Sequence, residues 1–407
     1  MISRYIKSVA VLTTEKPNNT KIGAVVLGGD YQGLGVVRSL GRHGVPVCVV
    51  DDEHSISRFS KYTTKVATVL DVRDEHSLVT SLKELCQKLG LEGWVLYPTR
   101  DEQVAAFSRN RSELSRFFRV PTPDWESVQW AWDKRNTYRR ASELGIPIPR
   151  TLYPQDVEQL AELDSVSPPF AIKPAIKEHF IYATKAKAWC ANTHGELRTL
   201  FQKASELVGP GEVMVQEVIP GGGAQQFSYC AFFRDGEAVG SMTARRRRQH
   251  PLQFGRASTY VEAVDAPVIE ELSKQFLRAI NYYGLVEVEY KLDPRDNQYK
   301  LLDVNARTWG YHSIGRNVGV DFSYMLYSDQ VGIPVTPSRA IPGASWVRMT
   351  TDIPAALMAY LGKDLDLSTY VRSLRNCSVD AVFSREDPMP GLAEILLVPY
   401  LALKRGF

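Results

Sequence analysis

Residues 22–52 constrain the fold of this 407-residue chain more than any other stretch. IGAVVLGG (22–29) is an apolar run entering a glycine turn, GLGVVRSLGRHG (33–44) has helical spacing, and VPVCVVDD (45–52) is a second apolar run ending in two acids. Near-continuous apolar strands separated by a helix are buried on both faces, which predicts a parallel sheet. WVLYPT (94–99) adds a further strand, and a highly charged helix starts at Asp101. The PTPD turn at 121–124 closes this α/β unit, so 22–121 reads as one domain behind a loose tail at 1–21.

The length requires further lobes, because one core of this size would be unusual. A second helix opens at Asp133, a side chain suited to an N-cap, and ends at Gly145. FAIKP (170–174) and EVMVQEVIP (212–220) are strands, with a helix between them around 195–207 and a small lobe at about 150–217. Gly221-Gly222-Gly223 marks a change of direction. FSYCAFF (227–233) and AVGSMTA (238–244) read as a hairpin, APVIEELSKQFLRAINYYG (266–284) as an amphipathic helix, and 285–305 as a long hairpin. A domain over 122–330 is followed by a mostly helical extension at 331–407.

Composition excludes more than it assigns. With 44% apolar, 23% charged residues and a net charge of +3, the chain is globular and makes no bulk demand for a nucleic acid. Five scattered cysteines without a CxxC argue against a disulfide framework or zinc site and lead us to expect a reducing cytoplasm. No segment has the length of apolar sequence that spans a bilayer, and the N-terminus lacks signal-peptide features. The apolar LAEILLVPYLALKRGF (392–407) is interrupted by Glu394 and Pro399, which fits a helix docked on the core or one lying on a membrane surface.

The chemistry is concentrated in LVEVEYKLDPRDNQYKLLDVNAR (285–307). If the PRDN turn is centred on Asp296, Glu289 lies opposite Asp303 and Glu287 opposite Asn305. Alternation then puts Glu287, Glu289, Asp303, Asn305 and Arg307 on one face, with Val286, Val288, Tyr290, Leu302 and Val304 on the other. Opposed carboxylates about 5 Å apart repel by roughly 3 kcal/mol at an effective dielectric near 20, so a cation should stand between them. Magnesium suits oxygen ligands of this kind, and Arg307 offers a fixed fork for phosphate oxygens. The same pattern also describes a wet, charged hairpin face, which Lys291 would share. Lys173 sits in an otherwise apolar strand and must snorkel out or meet an anion. Lys134 opens a helix, Gln216–Ile219 ends a strand before the glycines, and Arg245-Arg246-Arg247-Arg248 forms a basic run suited to a phosphate loop or a solvated face.

In this order, WDKRNTYRRASELGIPIPRT, FAIKPA, VMVQEVIPGGG and GLVEVEYK…KLLDVNAR resemble the ATP-grasp superfamily over about 22–330, in particular its carboxylate–amine ligase group. The resemblance implies an ATP-grasp fold with a Rossmann-like N-terminal α/β lobe, and an ATP-dependent C–N ligase that makes an acyl phosphate and releases ADP and phosphate. It implies that Lys134 and Lys173 contact ATP phosphates, Glu217 and Ile219 form the adenine hinge, and Gln225 stands near the ribose. It implies that Glu289, Asp303 and Asn305 bind magnesium, or manganese in its place. Arg307 would hold the transferred phosphoryl group, with Arg245 or Arg247. Two departures matter: Ala224-Gln225-Gln226 replaces a frequent ribose-binding acid, and Asp303 stands where glutamate is commoner. The partners implied are small carboxylates and amines; a homodimer and peripheral membrane contact stay open. His312 is the candidate base, or a structural histidine.

Two other functions compete. GGDYQGLG followed by Asp51 and Asp52 suggests a nicotinamide-dependent oxidoreductase, although it is not GxGxxG. The altered ribose position suggests a nucleotide sensor that makes no bond. Absence of GxxxxGK[ST] removes a P-loop ATPase.

Overall fold

The computed structural model describes Leu12–Thr13 and residues 21–405 apart from 253 and 256. The predicted loose tail therefore falls mostly outside the described residues. Its Leu12–Thr13 segment is strand β1, antiparallel to β4.

The first sheet contains β1, β2 (Ala24–Leu27), β3 (Val47–Asp51), β4 (Thr63–Thr68) and β5 (Val95–Pro98), in the order β1-β4-β3-β2-β5. β2 to β5 are mutually parallel, as the apolar runs require. Helices α1 (Tyr31–Arg42), α2 (Glu75–Leu89), α3 (Asp101–Arg109) and the short α4 (Arg111–Leu114) follow the strands. Asp30 caps α1 and Asp74 caps α2, each accepting a backbone N–H at the helix start. Gly28 lies at φ +88°, and a Cβ there would stand 2.3 Å from Thr99 Oγ1; only glycine fits this turn.

Helices α5 (Trp125–Trp132) and α6 (Lys134–Glu143) lead into a small antiparallel sheet of β6 (Thr151–Leu152), β7 (Phe170–Pro174), β8 (Trp189–Ala191) and β9 (Val213–Glu217), ordered β6-β9-β7-β8. α7 (Lys177–Thr184) and α8 (His194–Val208) cover it, around a core that includes Phe170, Ile172, Phe180, Phe201 and Val215.

The large sheet runs β14-β13-β10-β11-β12-β16-β17 with β15 on β11. Its strands are β10 (Gln226–Arg234), β11 (Glu237–His250), β12 (Ala257–Val264), β13 (Gly284–Asp293), β14 (Gln298–Asn305), β15 (Ser338–Arg339), β16 (Ser345–Val347) and β17 (Val379–Asp380). One face packs α9 (Pro267–Ala279) through Ile269, Phe276 and Leu277 against Val286, Val288 and Tyr290. The other shares a core with the first sheet, in which Val26, Leu34, Phe232, Trp309, Phe322 and Trp346 belong to one cluster. α10 (Phe322–Gln330) joins that core, and α11 (Met349–Leu361), α12 (Leu367–Arg375) and α13 (Met389–Arg405) complete the fold.

Candidate active site

The hairpin β13–β14 pairs Glu287 with Asn305, Val288 with Val304 and Glu289 with Asp303. β10 lies on the other side of β13 and sets Ser228 beside Glu289 and Cys230 beside Glu287. The acids are buried: Glu287 is 4% exposed and Glu289 7%. Asn305 Nδ2 donates to Glu287 Oε2 at 3.1 Å and to Glu289 Oε1 at 2.9 Å, while its Oδ1 accepts from Arg307 at 3.2 Å. Tyr311 donates to Glu287 Oε1 at 2.5 Å.

Cations converge on the same cluster. Arg246 lies 3.3 Å from Glu289 Oε2, and Lys134 is ion-paired with Asp303. Burial tends to raise the Glu289 carboxyl, yet the Arg246 guanidinium and the Lys187 ammonium hold it below its ordinary value. Asp303 is likewise opposed by burial and held low by Lys134 and Lys177. Burial, reinforced by repulsion from Glu289, pushes Glu287 up to about 7. Two carboxylates thus stay ionised side by side, and the third holds a proton readily.

These groups close one end of a cleft of about 420 Å³ between the small sheet and the large one. Lys134, Lys173, Lys177, Lys187, Lys291 and Arg246 line it, against Glu217, Glu289 and Asp303. Six cations facing three carboxylates leave an excess that suits a polyanion. Lys173 donates to Tyr138 Oη at 2.8 Å and Gln216 Oε1 at 2.7 Å, and Lys291 to the Ile219 carbonyl at 2.6 Å. Burial pushes Lys173 and Lys187 down to about 8. Residues 216–222 form one wall, with Leu302 from β14 also contributing to the lining.

A small cavity of about 20 Å³ shares Lys134, Lys177 and Asp303 with the cleft and adds Asp101 and Glu178. Asp101, at the start of α3, accepts Arg307 Nε on both oxygens at 3.1 Å and pairs with Lys177. The first α/β unit therefore reaches the end of the hairpin.

Not every predicted site residue joins this cluster. Arg245 turns to the opposite face, with Nε on the Ala224 carbonyl at 2.9 Å and its guanidinium over Phe227. Arg247 points outward to Glu262 at 2.6 Å, so Arg246 is the arginine at the acids. Gln225 packs beside Gly221, whereas Gln226 and Gln249 line the cleft and both accept from Arg246. The Glu217 carboxylate accepts from Arg150 N at 2.9 Å and Arg295 at 2.8 Å. His312 is pushed down to about 4 by burial and is neutral at pH 7, but it lines a different cavity of about 250 Å³ beside Gly35 and Arg38. Asp51 accepts the Gly29 N–H at 2.6 Å and those of Asp52 and Glu53, so it holds the glycine turn together rather than facing a ribose. Lys177, Lys187, Arg246 and Asp101 were not predicted. Arg246 left no usable signal either: the β10–β11 register shifts by one at Phe232/Phe233, so the Asp235-Gly236 turn does not set the parity of the arginine run.

Among the described residues, no group of three or more His, Cys, Asp or Glu side chains forms a metal cluster. The oxygen set here is two carboxylates, Glu289 and Asp303, with the Asn305 amide. Directly opposed, charged and oxygen-only, it fits a hard divalent cation that also takes ligands from a phosphate.

A small sheet and a large sheet enclosing a lysine-lined cleft, behind a parallel α/β unit, make an ATP-grasp fold. Residues 235–332 match the family model described as the carbamoyl-phosphate synthase L chain, ATP binding domain. A D-aspartate ligase of Enterococcus faecium is 24% identical over 304 residues, covering 71% of this chain and 72% of the relative. The L-amino acid ligase from Bacillus licheniformis superposes with a TM-score of 0.59 at 13% identity, over 81% of this chain and 79% of that one. The biotin carboxylase domain of Hydrogenobacter thermophilus 2-oxoglutarate carboxylase, solved as a dimer with MgADP, ADP and bicarbonate, gives 0.62 at 15% identity, over 80% and 74%. The chain has an ATP-grasp fold, and ligases are among the proteins it is similar to.

Proposed function

We propose that the protein is an ATP-dependent ligase that activates a small carboxylate as an acyl phosphate and joins it to an amine. A carboxylate oxygen takes the γ-phosphoryl group of ATP and ADP leaves. The amine nitrogen then attacks the acyl carbon, phosphate departs, and the nitrogen gives up a proton. The observation that carries this reading is the opposed, ionised pair Glu289 and Asp303 at the end of a cleft with an excess of cations.

In this reading the adenine lies along 216–222, with Ile219 and Leu302 against it, and Gln226 or Gln249 replaces the usual ribose acid. Lys134, Lys173, Lys177 and Lys187 spread the phosphate charge. Glu289, Asp303 and Asn305 would hold magnesium or manganese, which would neutralise charge between the phosphates. Arg307 acts on the transferred phosphoryl group, and Asp101 fixes its fork. The protein contributes positioning and preorganised charge rather than covalent chemistry. ADP release, screened against pooled amino acids and small carboxylates, tests this. Magnesium-ATP binding without turnover across a broad panel would instead favour a nucleotide sensor.

A further inference from the structure

The C-terminal helices have their polarity reversed. The sole charged residue of α11, Asp352, is fully buried and paired with Arg248 of β11 at 2.8 Å. The sole acid of α13, Glu394, is 2% exposed and accepts from Arg348 at 3.0 Å. Large apolar side chains point outward instead: Ile353, Leu357 and Leu361 on α11, and Leu392, Ile395 and Leu396 on α13. Of the 21 exposed large apolar side chains among the described residues, 13 lie between 353 and 398. Such clustering is not the scattered exposure of an ordinary surface. α12 buries no residue and exposes Leu367 and Val371 beside Arg372 and Arg375.

The charges around this face say what covers it. Lys363, Arg372, Arg375 and Arg385 are exposed and form no ion pair among the described residues. Among their acidic neighbours, Glu386 is already bound to Arg42 and Tyr62, and Asp366 caps α12 and accepts from Ser368. Asp364 and Asp366 offset two of these four cations, which leaves an excess of positive charge. A second copy would set this basic rim against itself, whereas an anionic headgroup layer complements it. No helix among the described residues is long and apolar enough to cross a membrane.

We propose that α11, α12 and α13 form a docking face that lies on a lipid bilayer bearing anionic headgroups, with the apolar side chains in the acyl boundary and the basic rim on the headgroups. The face does not depend on the ligase reading. The test is co-sedimentation of the full chain with vesicles of phosphatidylcholine, with or without phosphatidylglycerol, for the wild type and for Leu361→Glu/Leu396→Glu. Both positions are over 70% exposed, at 72% and 71%, so the fold should survive; circular dichroism and a thermal melt check this. The wild type should pellet with the anionic vesicles and less with neutral ones, and the variant should bind about tenfold more weakly or worse. The proposal is overturned if the wild type stays in the supernatant or if a correctly folded variant binds equally well. A stable dimer that the variant splits, with no vesicle binding, would assign the face to a second copy.

Discussion

Arg246 is where single side chains in the basic run part company. It lies 8% exposed between Gln226, Gln249 and Glu289, whereas its neighbours Arg245 and Arg247 face away. Arg246→Ala should lower kcat by about 10²–10³-fold, as loss of a preorganised donor at developing charge does; Arg245→Ala should stay within about threefold. Steady-state ADP release for the two variants distinguishes them. Lys173 and Lys187 supply a pH dependence. Each has its pKa lowered to about 8 by burial, so its charge is present below that value and lost as pH rises through it. An anion needs the charged form, so kcat/KM for ATP, which reports the free enzyme, should fall above about pH 8. A flat profile from pH 7 to about 9.5 would remove these lysines from phosphate binding.

The hairpin shows how far alternation alone carries an element. Centring the turn on Asp296 gives the right partners for Glu287, Val288 and Glu289, but beyond Glu289 the register shifts by one, to Tyr290–Leu301 and Lys291–Lys300. The bulge leaves Leu302 without a partner of its own and puts it in the cleft wall, not on the apolar face where strict alternation assigns it. Nothing local in KLLDVNAR announces a bulge. Leu302→Ala should therefore raise the Kd for ATP about tenfold, from lost apolar contact, with kcat little changed; calorimetry and kinetics read the two separately. The parallel strands, the helix capped by Asp133 and the strands at 170–174 and 213–217 were legible because each carries its own periodicity and punctuation. Lys177 and Lys187 were not, since their role depends on which surfaces meet. α7 gives little help because it presents almost no apolar stripe, burying only Glu178 and Phe180.

Across the whole molecule, long-range ion pairs tie the parts together. Asp101 links the first α/β unit to Arg307 and Lys177, spanning 206 residues of sequence in the Arg307 contact. As a positioning residue it should affect kcat more than nucleotide affinity: Asp101→Asn should cost on the order of 10²-fold in kcat with the Kd for ATP nearly unchanged. Arg248 anchors the C-terminal helices through Asp352, which is fully buried. Removing it strands a buried carboxylate, so Arg248→Ala should cost about 3–5 kcal/mol in urea unfolding. The most direct test of the ligase account is ADP release against pooled amino acids and small carboxylates, with the product identified by mass spectrometry, in the wild type and in Asp303→Asn. The account predicts ADP and phosphate in equal amounts, a product with the mass of carboxylate plus amine less water, and no turnover in a folded Asp303→Asn. Undiminished turnover in that variant would contradict the account.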